Sequence, residues 1–130
     1  MKKFLLLLLL FPIFFIGCSS SDNEIVLNRE AIIGTWYISD MQKDGTWYDM
    51  SDSGMRIYIG NDGIYRVGIG KYLDVTYYEG KYTINGNTII GITSDPITER
   101  FTFTKLEGNY AEVSYSNSDG LSYNFKATKK

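Results

Sequence analysis

Nine short runs of alternating apolar and polar residues constrain this 130-residue chain more than any other feature of its sequence. The runs are rich in Tyr, Ile, Thr and Val, and Gly, Asn and Asp separate them. A period of two residues between such breaks is typical of β-strands with one buried face. Only residues 28–32 favour a helical turn, with Asn28 as its N-cap. The predicted strands cover residues 33–42, 46–49, 55–60, 64–69, 75–84, 88–93, 98–106, 110–116 and 121–128.

The parity of the apolar positions sets the length of the hairpin loops. In residues 55–60 and 64–69 the apolar positions are odd-numbered in both runs. Because cross-strand partners share a face, the loop that joins these runs must contain an odd number of residues. Asn61-Asp62-Gly63 meets this condition, because Gly63 suits the left-handed residue that closes a three-residue loop. The predicted pairs are Ile59–Tyr65, Ile57–Val67 and Met55–Ile69.

The same rule predicts a three-stranded meander at the C-terminal end of the chain. Residues 107–109 and 118–120 are taken as three-residue loops, each containing a glycine. Residues 85–86, Asn-Gly, mark a further hairpin with a two-residue loop and an unsettled register. The predicted meander pairs are Phe103–Val113, Phe101–Tyr115, Ala111–Ala127, Val113–Phe125 and Tyr115–Tyr123.

About eight strands joined by tight hairpins predict an up-and-down antiparallel β-barrel, since closure removes the exposed edges of such a sheet. We assign this all-β barrel to residues 31–130. A barrel of about eight strands has an interior that side chains fill, or that holds one small ligand. Both alternatives stay open at this point.

The start of the first strand resembles the hallmark of the lipocalin fold. Gly34-Thr35-Trp36 gives a Gly-x-Trp motif after a short helical turn. The resemblance covers residues 31–128 and implies that Gly34 and Trp36 form the floor of the barrel at its closed end. Lipocalins also place a basic residue over this tryptophan, for which Lys126 and Lys129 are the candidates. The chain lacks the helix that follows the lipocalin barrel, so the match is to the fold and not to a ligand.

The N-terminal segment predicts export. Lys2 and Lys3 precede an apolar stretch over residues 4–16, which is typical of a signal peptide and too short for a membrane-spanning helix. Residues 15–18, Phe-Ile-Gly-Cys, resemble the lipobox of bacterial lipoproteins. That resemblance implies cleavage after residue 17 and acylation of Cys18, with fatty acids such as palmitate, so the protein meets the membrane through this lipid.

Residues 18–30 are interpreted as a flexible tether, because the run after Cys18 is polar and lacks periodicity. The resemblance places the protein at the cell envelope, on the outer membrane. The acidic character of the run resembles the surface-export signals of some Gram-negative lipoproteins, and a plain tether is the alternative. Loss of Lys2 and Lys3 leaves 11 basic against 15 acidic residues. This negative balance argues against a nucleic-acid partner.

The residue types present argue against catalysis. The sequence has no histidine, which removes the most common general base and metal ligand, and acylation would remove the only thiol, Cys18. We therefore expect no enzyme, no cofactor and no metal. Glu99 shares a face with Phe101 and Phe103. It is either an inward carboxylate that holds a ligand or acts as an acid, or, as the favoured interpretation, a rim residue in water beside Arg100 or Arg66.

Aromatic side chains supply the candidate binding residues. Tyr65, Tyr115 and Tyr123 are predicted to face inward, where each hydroxyl needs a partner. With Glu99 and Phe101 they either line a ligand pocket or form an ordinary barrel core. Trp47 and Tyr48 are placed at the mouth, where they either contact a protein or glycan partner or cover the barrel. The leading hypothesis is a non-catalytic barrel for a small hydrophobic or amphipathic ligand, and the alternative is an interaction module that acts through its loops with a filled barrel.

Overall fold

The structure is a computed structural model that describes residues 25–70 and 76–130. The predicted signal peptide and Cys18 lie outside these residues. The described chain contains one short helix and nine strands, and no helix in it has the length and apolar character needed to cross a membrane. The elements are α1 (Arg29–Ile32), β1 (Gly34–Lys43), β2 (Thr46–Asp49), β3 (Arg56–Ile59), β4 (Ile64–Gly68), β5 (Tyr78–Asn85), β6 (Thr88–Thr93), β7 (Thr98–Glu107), β8 (Tyr110–Asn117) and β9 (Ser122–Lys129).

Eight of the strands close into an up-and-down antiparallel barrel, which confirms the predicted all-β fold class. Each strand from β3 to β8 pairs with the next strand in the chain, and β1 pairs with β3 on one side and with β9 on the other. The remaining strand, β2, is not one of these eight and pairs with the last four residues of β1.

The hairpin registers agree with the parity argument. Ile57 pairs with Val67, Ile59 pairs with Tyr65, and Gly63 at φ 81° closes the three-residue loop. Every predicted meander pair is present in the β7–β8 and β8–β9 ladders. The β5–β6 loop has two residues, as predicted, although they are residues 86–87.

Two local predictions are wrong. The β7–β8 loop has two residues, because Glu107 pairs with Tyr110, and a β-bulge between Phe103 and Lys105 restores the predicted register. Met55 and Ile69 lie beyond the ends of β3 and β4, so they do not pair in the ladder.

The closed end of the barrel is built around Trp36, which is 2% exposed. Its indole Nε1 donates a hydrogen bond to Ile32 O at 2.9 Å. The ammonium of Lys129 lies 5.5 Å from the ring centroid and donates to Ala31 O at 2.9 Å. Lys129 is therefore the basic residue over the tryptophan, whereas Lys126 lies outside, over Trp47 at 4.4 Å.

Glycine is required at position 34 for two reasons. Its φ of 131° is one that L side chains rarely adopt, and a Cβ there would lie 2.9 Å from the Lys129 Cδ atom. The Lys129 stem thus crosses Gly34 on its way to Trp36. Packing also extends before the predicted boundary at residue 31, since Leu27 is buried and its amide donates to Gly86 O at 2.9 Å.

Candidate functional site

The half of the barrel nearest Trp36 is a filled core. Aromatic, branched and alanine side chains from the barrel strands leave a cavity of only about 20 Å³, lined by Trp36, Ile57, Ile59, Tyr65, Ile89, Phe101, Phe103, Ala111, Val113, Phe125 and Ala127. That space is of the order of one water molecule. This half of the interior therefore serves stability and does not hold a ligand.

The opposite, open end holds a cleft of about 800 Å³. It lies among the end of β4, the start of β5, the β6–β7 connection and the β8–β9 loop. Its walls combine apolar, aromatic and polar side chains, a composition typical of small-molecule sites of this size. The lining residues are Met55, Val67, Ile69, Thr76, Tyr77, Tyr78, Glu79, Thr93, Ser94, Asp95, Ile97, Glu99, Tyr115, Asn117, Leu121 and Tyr123.

Glu99 lies at the floor of the cleft, at the boundary with the filled core. Its side chain is 2% exposed and accepts hydrogen bonds from three tyrosine hydroxyls. Tyr65 donates to Oε1, while Tyr115 and Tyr78 donate to Oε2, the latter at 2.7 Å. The Tyr115 oxygen also accepts from Asn117 Nδ2 at 3.1 Å, so its own proton is free to point at Glu99. In these three hydrogen bonds both oxygens of Glu99 are acceptors.

The electrostatics of this cluster keep the tyrosines protonated. Burial, followed by the hydrogen bond to Glu99, raises the pKa of Tyr65, Tyr78 and Tyr115 well above the ordinary tyrosine value. Burial together with the charge of Glu99 raises the pKa of Tyr123 to about 12. These hydroxyls therefore keep their protons at neutral pH, so no phenolate is available there to act as a general base.

Two strand glycines make room for the Tyr65 ring. A Cβ on Gly91 would lie 2.5 Å from Tyr65 Cε1, and one on Gly80 would lie 2.8 Å from the same atom. The ring therefore crosses β5 and β6 over these glycines to reach Glu99 on β7. Glycine inside a strand marks such a close approach.

Gly91→Ala is expected to destabilise the barrel by about 1–3 kcal/mol, because the new methyl group overlaps the Tyr65 ring. Chemical denaturation of both proteins measures this difference. In a Tyr65→Val background the ring is absent, so the same alanine should have a much smaller effect. Equal effects in the two backgrounds would show that the ring is not the obstacle.

The candidate residues from the sequence divide between core and cleft. Tyr115, Tyr123 and Glu99 line the cleft, whereas Phe101 lies below it in the core, 5.9 Å from the Tyr65 ring and 5.2 Å from the Tyr115 ring. Tyr65 belongs to both regions, since its ring borders the core and its hydroxyl bonds Glu99.

The favoured interpretation of Glu99 as a rim residue in water is wrong. The side chain is buried. Of the two arginines expected beside it, Arg66 pairs with Glu79 at 3.4 Å, and Arg100, the next residue of β7, is exposed on the opposite face. Hydroxyl groups compensate the burial of Glu99 where an arginine was expected, because they reach it from the barrel interior.

Trp47 and Tyr48 lie on β2 outside the barrel and do not line the cleft. They are 43% and 53% exposed. Trp47 lies over Lys126 on the outer face of the sheet, whereas Tyr48, the next residue of the strand, points to the opposite face.

Sequence reasoning missed Tyr77 and Tyr78, which form one wall of the cleft with their rings 5.9 Å apart. A sequence pattern in β5 could have identified Tyr78, because Tyr78, Gly80 and Tyr82 alternate along the strand and so lie on one face. That face is the same one that carries the Gly80 gap beside Tyr65.

No protein-family model and no curated protein matches the chain. The solved structures that resemble it at low sequence identity include the following two. One is a de novo designed fluorescence-activating β-barrel, with 17% identity and a TM-score of 0.46 over 78% of this chain and 95% of the other. The second is a mutant of the fluorescent protein UnaG, with 15% identity and a TM-score of 0.44 over 77% of this chain and 96% of the other.

Proposed function

We propose that the protein is a non-catalytic binding protein of the cell envelope, which holds a small hydrophobic or amphipathic ligand in the cleft at the open end. The observation that carries this proposal is the division of the interior. A filled core stabilises one half, while about 800 Å³ stays open above Glu99 in the other. A barrel needed only as a scaffold would gain stability by filling that space with side chains.

The chemistry of the cleft supports binding more than catalysis. The tyrosines that bond Glu99 have raised pKa values, so they keep their protons near neutral pH. Among the described residues no group of three or more His, Cys, Asp or Glu side chains is placed to hold a metal ion. The cleft thus combines a concave shape, apolar contacts and hydrogen-bonding groups, which are the features of a small-molecule binding site.

Native mass spectrometry of the protein purified from its own cells tests this proposal. A non-covalent ligand should add mass under native conditions and disappear under denaturing conditions, whereas lipid on Cys18 should persist in both. Ser94→Trp places a large ring in the cleft lining and should abolish the added mass. Asn61→Trp, an exposed loop position at the closed end, is the matched control and should retain it. Wild-type protein without a ligand, or a ligand that survives Ser94→Trp, would contradict the proposal.

The membrane anchor is the second part of the proposed function. Cys18→Ala removes the only acylation site, so the protein should move from the membrane fraction to the soluble fraction. Fractionation followed by immunoblotting measures this change. Ser19→Ala changes the neighbouring residue and should leave the protein in the membrane fraction. Retention of the Cys18→Ala protein in that fraction would contradict lipid anchoring.

The exposure of two large aromatic side chains on β2, Trp47 and Tyr48, favours a second candidate function, which is contact with a protein or glycan partner. Replacing both residues by alanine should abolish such contact and leave cleft binding intact. The Ser94→Trp variant should have the opposite effect. The two variants therefore separate the two functions.

A further inference from the structure

Among the described residues, the buried side chain of Glu99 has no basic partner. The ion pairs found in the described residues are Arg66–Glu79, Lys105–Glu107 and Lys105–Glu112, and none of them includes Glu99. Its only partners there are neutral tyrosine hydroxyls. A charged group taken out of water without an opposite charge carries a large solvation penalty, which hydrogen bonds offset only in part.

The other charged side chains that line the cleft are also acidic. Glu79 and Asp95 also line it, and the described lining residues include no lysine and no arginine. Arg66 balances Glu79 from outside the lining, at 3.4 Å. From the described lining, an anionic ligand would therefore be repelled by Glu99 at the floor and by Asp95 at the rim, while a cation would be attracted to both.

The walls of the cleft favour an organic cation over a metal ion. Tyr77 and Tyr78 lie on one side, and the stacked pair Tyr115 and Tyr123, with centroids 4.6 Å apart, lies on the other. Aromatic faces attract ammonium groups and also pack against apolar carbon. Hard cations such as Ca²⁺ need about six to eight oxygen ligands, and Glu99 belongs to no group of metal-ligating side chains in the described chain.

We propose that the cleft selects an amphipathic organic amine, whose ammonium group pairs with Glu99 while its apolar part lies against the aromatic and aliphatic walls. This inference rests on the proposed function and adds the charge of the ligand to it. The ammonium also donates to the oxygen lone pairs of the surrounding tyrosines. The apolar part of the amine extends toward Ile97 and Leu121, which line the same cleft.

Three probes that share a phenylbutyl group and differ in their head group test the inference. Phenylbutylamine, phenylbutanol and phenylbutyrate are titrated by calorimetry into the acylated mature chain in one detergent. The amine should bind at least about tenfold more tightly than the alcohol, since one buried charge pair exceeds the corresponding 1.4 kcal/mol, and the acid should bind most weakly. Equal binding of the alcohol or the acid would overturn the amine preference and leave the proposed binding function standing. Absence of binding by all three would overturn both.

Glu99→Gln is the decisive variant, because the amide keeps the shape and removes the charge. The amine should lose about tenfold or more in affinity, while the alcohol should change little. Glu112→Gln, on the outer side of β8 beside Lys105, is the matched control and should bind all probes as wild type does. An unchanged amine affinity in Glu99→Gln would contradict the inference. Near-ultraviolet circular dichroism checks the fold, and if this variant does not fold, the wild-type ratio of amine to alcohol carries the test.

Discussion

Glu99→Leu is expected to lower the free energy of unfolding by about 2–4 kcal/mol, because it strands buried hydroxyl donors. Tyr65 and Tyr115 are at most 5% exposed and both point at the carboxylate. Tyr78 lines the cleft, so its hydroxyl can turn to water. Leucine fills similar space but accepts no hydrogen bond, so the other two hydroxyls lose their acceptor.

Removal of both hydroxyls that lack an acceptor should recover most of the lost free energy of unfolding. The triple variant Glu99→Leu, Tyr65→Phe, Tyr115→Phe replaces the whole buried polar cluster by apolar groups, which is often close to neutral. Chemical denaturation of the single and triple variants measures the difference. Glu112→Leu, at a partly exposed position, should change stability by no more than about 0.5 kcal/mol. A Glu99→Leu protein as stable as wild type would show that the cluster is not a bonded unit.

Trp36→Ala should be the most destabilising single change, at about 3–5 kcal/mol. It removes the largest ring of the closed end, its contact with Phe103 at 6.2 Å between centroids, and the hydrogen bond to Ile32 O. It also leaves the Lys129 ammonium without its aromatic face.

The second tryptophan provides the matched control for this change. Trp47→Ala removes a ring that is 43% exposed and should cost no more than about 1 kcal/mol. The denaturation midpoints of the two variants, measured under the same conditions, give the difference between their stability losses. Similar losses would contradict the assignment of Trp36 to the closed end and Trp47 to the outer wall.

The register of the sheet was predictable because burial specifies it strongly. Val113 and Phe125, for example, face the core only if the β8–β9 loop has an odd number of residues. The β7–β8 hairpin shows the limit of that argument. The parity of the buried positions constrains only the total number of residues in the loop and in any bulge. A two-residue loop with a bulge near Thr104 therefore gives the same pairs as a three-residue loop.

The site was less predictable than the fold because alternation gives the face of a residue and not its depth. Glu99 was recognised on the inward face, but its burial depends on how far β7 extends relative to its neighbours. The hydroxyls around Glu99 come from β4, β5 and β8, and Tyr78 comes from a strand that does not pair with β7. Such convergence depends on the curvature of the closed barrel, which no local pattern records.

The position of a bound ligand shows whether the open end of the barrel is the binding site. Proton–nitrogen NMR correlation spectra of the acylated mature chain are recorded with saturating phenylbutylamine or phenylbutanol. We predict that amide signals of residues 94–95, 97–99 and 117–121 shift, while the indole signals of Trp36 and Trp47 do not, because these segments border the cleft and both indoles lie outside it. Shifts concentrated at Trp47 and Tyr48, or the absence of shifts around Glu99, would contradict a ligand site at the open end of the barrel.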